Sequence, residues 1–235
     1  MTDYLLMVLE DERAHASQSP KAIAELIAQR TQFADELRRA GRLRDCGRLR
    51  PSREAKYVRR RDDAVHVADG PCPGEHALAA YYWIAAASLD DAAELASRIP
   101  ALASDHVDIR PLAKGAVVAD KDAKPGKIFA FAVLGSASDE AGWTQVMDRI
   151  DAETRDGFPV SPAGGNRLQP PSAGRRIATR GERRATFDGP FLESKEIIGG
   201  VFFLRMLTMD DAVRWAVTSR FVAHGALEIR ELWRS

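Results

Sequence analysis

Apolar positions along the chain come in short runs of two different periods, and the switching between them predicts the order of elements. Tyr4 to Leu9 is a continuous apolar run suited to a buried strand. Ser19-Pro20 then offers an N-cap followed by proline at the first helical position. Ile23, Leu26, Ile27, Phe33 and Leu37 share one helical face beyond it, with a step of six between Ile27 and Phe33, and Gly41 supplies a stop. Ala55 to Arg60 and Ala64 to Asp69 flank the polar turn Arg61-Asp62-Asp63 and predict a β-hairpin. Ala77 to Ala87 predicts the next strand, Leu89 to Arg98 a helix with Asp90 and Asp91 at its dipole-favoured start, and Val107 to Leu112 a closing strand.

The same order recurs: strand Ile128 to Leu134, helix from about Glu140 to Glu153, hairpin Arg175 to Asp188, strand Ile197 to Met206, helix Met209 to Arg220 and strand Leu227 to Trp233. Short motifs recur with it at an offset of about 119 to 120 residues. Asp69-Gly70-Pro71 is answered by Asp188-Gly189-Pro190, Ser88-Leu89-Asp90-Asp91-Ala92 by Thr208-Met209-Asp210-Asp211-Ala212, and Val107-Asp108-Ile109-Arg110 by Leu227-Glu228-Ile229-Arg230. A period this long means duplicated modules rather than a solenoid. The expected organisation is a first module over 1–113, a linker over 114–126 and a second module over 127–235. Each reads as an α+β, ferredoxin-like βαββαβ unit, whose sheet is covered by helices on one face and is expected to pack its other face against the second copy.

Composition adds exclusions. With 34 basic and 34 acidic residues the formal net charge is zero, so no bulk field favours nucleic acid or an anionic membrane. The basic stretch of Arg38, Arg39, Arg42, Arg44, Arg48 and Arg50 is diluted by Asp35, Glu36 and Asp45 and reads as a solvated helix end. No apolar run reaches bilayer length and the N-terminus lacks a basic signal start, so a cytoplasmic location is expected. Cys46 and Cys72 lack a second pair or a His cluster, so neither a zinc site nor a disulfide is expected, and no cofactor is.

The densest polar set beside apolar strand sequence is Asp188-Gly189-Pro190-Phe191-Leu192-Glu193-Ser194-Lys195-Glu196. Gly189 and Pro190 hold a turn that aims Asp188, and strand alternation puts Arg184, Thr186 and Asp188 on one face. Asp188 or Glu193 could serve as a base, Lys195 or Arg184 as an electrostatic stabiliser, and Glu196 as a ligand contact. An Asp-Gly-Pro turn with a solvated strand entry is the bland alternative. In the first half His76 stands beside Asp69 and could move protons. It could equally be an exposed loop histidine.

The second-half motif, followed by Gly199-Gly200 and the strand Val201-Phe202-Phe203, resembles the YCII-related (DGPF) family, and the resemblance extends through Leu168 to Pro170 and Leu227 to Arg230. The first half is similar through Tyr4 to Met7, Leu49-Arg50-Pro51, Asp69-Gly70-Pro71 and Val107 to Leu112, but lacks the Glu-x-Lys-Glu set. The resemblance implies a dimeric α/β-barrel, here an intramolecular pseudo-dimer able to form a further homodimer. It also implies a small-molecule or anion site in the cleft near Asp188, Lys195 and Arg184, with His/Asp chemistry suggested in relatives. A regulatory or protein-interaction module, linked to an extracytoplasmic-function sigma factor, is the alternative it leaves open.

Overall fold

The computed structural model describes residues 1–72, 74–113, 126–136, 148, 162–180, 183–189 and 196–233. Their strands are β1 (Thr2–Glu10), β2 (Leu43–Arg48), β3 (Lys56–Arg61), β4 (Ala64–Asp69), β5 (Ala77–Ala86), β6 (His106–Pro111), β7 (Lys127–Ser136), β8 (Pro162–Arg167), β9 (Arg175–Arg180), β10 (Arg183–Asp188), β11 (Glu196–Met206) and β12 (Ala226–Glu231). The helices are α1 (Glu12–Ala16), α2 (Pro20–Arg39), α3 (Leu89–Ser97), α4 (Met209–Thr218) and α5 (Phe221–His224). No helix among the described residues is long and apolar enough to cross a membrane. Of the helix expected over 140–153, only Asp148 lies within the described residues.

The fold is α+β with two six-stranded sheets, β10-β9-β6-β1-β5-β2 and β4-β3-β12-β7-β11-β8. Four strands of each, β6-β1-β5-β2 and β12-β7-β11-β8, have the fourth-first-third-second antiparallel order of a ferredoxin-like βαββαβ module. The remaining two strands are exchanged. Hairpin β3–β4 from the first half extends the second sheet through β3 against β12, and hairpin β9–β10 from the second half extends the first sheet through β9 against β6. The compact units are accordingly interleaved in sequence: unit 1 is Met1–Arg48, Gly74–Leu112 and Pro171–Phe191, and unit 2 is the rest. Each compact unit thus draws on both halves of the sequence. Hairpins carry no sequence label for the edge they will join, because any exposed strand edge offers the same unpaired N–H and C=O groups.

In unit 1, even-numbered residues of β1 face α2 and α3. Tyr4, Leu6 and Val8 pack there with Phe33, Leu37, Tyr82, Ile84, Ile99, Val107, Ile109 and Ile177. Ser19 caps α2 by accepting from Ala22 N, and Gly41 at φ 67° turns the chain back. The turn corrects the basic stretch: Arg38 and Arg39 close α2, but Leu43–Arg48 is strand β2, paired with β5 rather than a solvated helix end. Edge pairing with an apolar neighbour outweighs the poor strand propensity of this polar segment. In unit 2 the core is built from Val58, Phe129, Phe131, Val133, Leu204, Phe221, Leu227 and Ile229, and Thr208 and Asp211 form a capping box on α4.

The two motif aspartates occupy equivalent places. Asp69 sits opposite Lys56 and Asp188 opposite Arg175, and each is ion-paired to that cross-strand residue. Gly70 N–H donates to Ala55 O at 2.9 Å and Gly189 N–H to Gly174 O at 3.1 Å. Their glycines are required for different reasons. Gly70 has φ 89° with open space around it, whereas a Cβ on Gly189 would overlap the Pro171 carbonyl. Gly189→Ala is therefore expected to cost about 1–3 kcal/mol by overpacking and Gly70→Ala about 1 kcal/mol by backbone strain, measured by urea unfolding. Equal stability of Gly189→Ala and the unsubstituted protein would contradict this account of the motif.

Candidate functional site

Among the described residues, a cluster of buried and half-buried charged groups lies in unit 1, where the end of β1 meets α1, α2 and the turn before β6. Glu10 continues the helix-facing side of β1 beyond Val8. Asp11 caps the short helix α1 by accepting from Arg13 N and Ala14 N, and this turn sets His15 back over the strand end. Asp105 has a completely buried side chain, 0% exposed, and both its oxygens are held by backbone. Oδ2 accepts from Leu102 N at 2.8 Å and Oδ1 from Asp11 N at 3.3 Å. His15 Nε2 stands 3.0 and 2.9 Å from Asp105 Oδ1 and Oδ2, and Nδ1 is 3.7 Å from Glu10 Oε2. The ring is 13% exposed, so one edge meets solvent.

Arg30 completes the cluster from α2. Its Nη1 donates to Glu10 Oε1, its Nε donates to Pro100 O at 2.8 Å, and its Nη2 lies 3.7 Å from Asp105 Oδ2. On α2 it occupies the apolar stripe with Leu26, Phe33, Ala34 and Leu37. It fills the six-residue step between Ile27 and Phe33, which the sequence reading passed over. A charged residue in a core stripe is stable only with partners, so that step was the sequence signal for a buried ionic site. Arg48 at the end of β2 and Arg184 on β10 are within electrostatic reach: burial lowers the pKa of both, Glu10 acts on Arg48, and Asp105 acts on Arg184.

Glu10, His15 and Asp105 could supply three metal donors, all within 4.8 Å of one another. Arg30 answers that arrangement with its own cation, bonded to Glu10 and beside Asp105, and a divalent ion would have to enter against it. The geometry better suits proton handling. Asp105 is fixed by backbone donors against His15 Nε2, and Nδ1 of the same ring faces Glu10.

A second imidazole pair lies next to this cluster in sequence. His106 and His76 meet edge to face with centroids 4.6 Å apart, and His76 Nε2 bonds Ser104 O at 2.9 Å. His106 is buried, its Nε2 has no hydrogen-bond partner among the described residues, and Asp108 Oδ1 is 3.9 Å away. Asp108 is itself held by both Nε and Nη2 of Arg176, at 2.6 and 2.9 Å. Burial pushes the His106 pKa down to about 4.

The residues singled out from sequence are dispersed. Asp188 is 81% exposed at its pair with Arg175, which also holds Asp90. Asp69 is 85% exposed beside Lys56. Arg184 turns away from Asp188 to donate to Ser97 O at 3.0 Å and Ile99 O at 2.6 Å, at the C-terminal end of α3, so shared strand parity does not bring the two together. His76 belongs to unit 1 and Asp69 to unit 2. Glu193 and Lys195 lie outside the described residues, as does the side chain of Glu196 at the start of β11. Of these candidates, Arg184 is within electrostatic reach of the buried cluster, and His76 bonds the carbonyl of Ser104 next to Asp105.

The family model of the YCII-related domain matches residues 132–235. No curated protein sequence matches the chain. Among solved structures, it is similar to a heme-binding protein from Thermus thermophilus at 10% identity, with 99% of this chain and 91% of that one covered and a TM-score of 0.39. A candidate chlorite dismutase, at 9% identity with 99% and 96% covered, gives 0.38. A candidate monooxygenase from Lactobacillus acidophilus, at 10% identity with 100% and 94% covered, gives 0.37. Superposition at this level carries no argument about chemistry.

Proposed function

We propose that the chain, whose residues 132–235 match the model of the YCII-related domain, binds a small molecule at the unit 1 cluster and moves a proton on it. His15 is the proton carrier and Asp105 the carboxylate that orients it. The observation that carries this reading is the double contact of His15 Nε2 with a fully buried carboxylate that two backbone N–H groups already fix. An imidazole so held keeps one tautomer, and its Nδ1 can take a proton from a bound C–H or O–H acid. Glu10 stands where the resulting imidazolium would need a second negative neighbour. Arg30 holds Glu10 in turn, keeping its carboxylate in place.

Saturation-transfer NMR of a fragment library, followed by hydrogen–deuterium exchange at the acidic C–H of each binder, tests the reading. Bound compounds are expected to exchange faster with the protein than without it, and His15→Gln is expected to slow that exchange by about 10²- to 10⁴-fold. Exchange that is equally fast in His15→Gln would remove His15 from the chemistry.

A further inference from the structure

Two guanidinium groups in unit 1 hang from one short turn. Arg30 Nε donates to Pro100 O, and Arg184 Nη1 donates to Ser97 O and Ile99 O, so carbonyls of the four residues from Ser97, the last of α3, to Pro100 hold both. Each leaves one buried nitrogen without a hydrogen-bond acceptor among the described residues, Nη2 of Arg30 and Nη2 of Arg184. Arg30 as a residue is 6% exposed. A buried guanidinium N–H lacking an acceptor is costly, and two of them held by one turn call for an oxygen ligand.

Arg184 reaches this place because hairpin β9–β10 crosses from the second half of the chain to the first sheet. Strand register identifies the corresponding positions of unit 2. Leu9 pairs with His106 as Leu134 pairs with Ala226, so Gly135 and Gly225 stand where unit 1 has Glu10 and Asp105. Asp69 and Asp188 are both four residues beyond the hairpin positions Val65 and Arg184, and Val65 packs against the unit 2 core. The acid, the base-orienting carboxylate and the arginine are thus replaced together by Gly, Gly and Val. Unit 1 carries a complete polar set where unit 2 carries none of these three.

We infer that the ligand of the unit 1 site is a small monocarboxylate, whose two oxygens accept from Nη2 of Arg30 and Nη2 of Arg184, the two nitrogens without a hydrogen bond among the described residues. This rests on the acid–base reading of His15 and adds the chemical class of its substrate. Two donors from planar groups match the two oxygens of one carboxylate. A dianion such as phosphate would meet Glu10 and Asp105 with twice the repulsion. Entry is along the partly exposed edge of Glu10 and His15.

Titration of the full chain with ¹³C-carboxyl-labelled acetate and pyruvate, followed by NMR line broadening, reads the binding directly. Arg184, on an edge strand, is the residue to replace. Both acids are expected to bind the unsubstituted protein, with affinity falling at least about tenfold in Arg184→Gln and partly restored in Arg184→Lys, while inorganic phosphate and chloride at equal concentration fail to compete. The inference is overturned if neither acid binds, if Arg184→Gln binds them as well as the unsubstituted protein does, or if phosphate displaces them. Pyruvate that binds through Arg184, yet whose methyl exchange is indifferent to His15→Gln, would sink the acid–base reading and leave the carboxylate site standing.

Discussion

Replacing Asp105 with alanine is expected to lower the stability of the protein by about 3–5 kcal/mol. The carboxylate accepts from Leu102 N and Asp11 N, contacts His15 Nε2 and lies beside Arg30. Its removal leaves two half-buried backbone donors unpaired and takes one of the two carboxylates from a buried guanidinium, and the cavity is too polar to close as an apolar one would. Asp105→Asn retains an acceptor oxygen and most of the shape, so it is expected to cost less than half as much. Urea unfolding at neutral pH checks both. An alanine variant within about 1 kcal/mol of the unsubstituted protein would mean that Asp105 is not the keystone of the turn before β6.

Stability is also expected to fall on mild acidification through His106. Its folded-state pKa is lowered from 6.5 to about 4, first by burial and further by Arg176 and His76, against the opposing pull of Asp108 and Asp105. The unfolded chain therefore binds the proton more readily than the folded one. The contribution of neutral His106 is fully present above pH 6.5 and is lost progressively as pH falls from 6.5 toward 4. At full extent the change is roughly 3 kcal/mol. His106→Gln, neutral at every pH, is expected to flatten that part of the profile, whatever its cost at neutral pH. Parallel profiles for the two proteins between about pH 7 and 4 would assign the acid response to other groups.

Much of the fold was legible because its elements announce themselves locally. Ser19-Pro20 and Gly41 bound α2 where the chain places them, and Asp62 and Asp63 adopt the positive φ that a two-residue hairpin turn needs. The strands missed, β2 and β8, are polar or glycine-rich edges that pairing alone makes into strands. Gly165 in β8 shows the reason, since a Cβ there would come within 2.8 Å of Phe202 Cδ1. The candidate site was less legible. Its groups come from four separate segments, and Asp105 and His15 stand in no motif. Arg30 stood in plain view as a charged interruption of the α2 stripe, but its meaning depended on Glu10 lying opposite. The Asp-Gly-Pro turns drew attention because they repeat, and what they do is pin a hairpin to its sheet.

The exchanged hairpins also bear on the order in which the chain can fold as it is made. Strand β6 ends at Pro111, yet its neighbour β9 begins at Arg175 and the hairpin closes only at Asp188. The first sheet therefore cannot be completed until most of the second half has left the ribosome. Until then β6 presents a bare edge, and Arg184 is absent from its place. Synthesis from the N-terminus delays both units, the first sheet until Asp188 and the second until Glu231, and the long sequence separations predict slow, late completion of each.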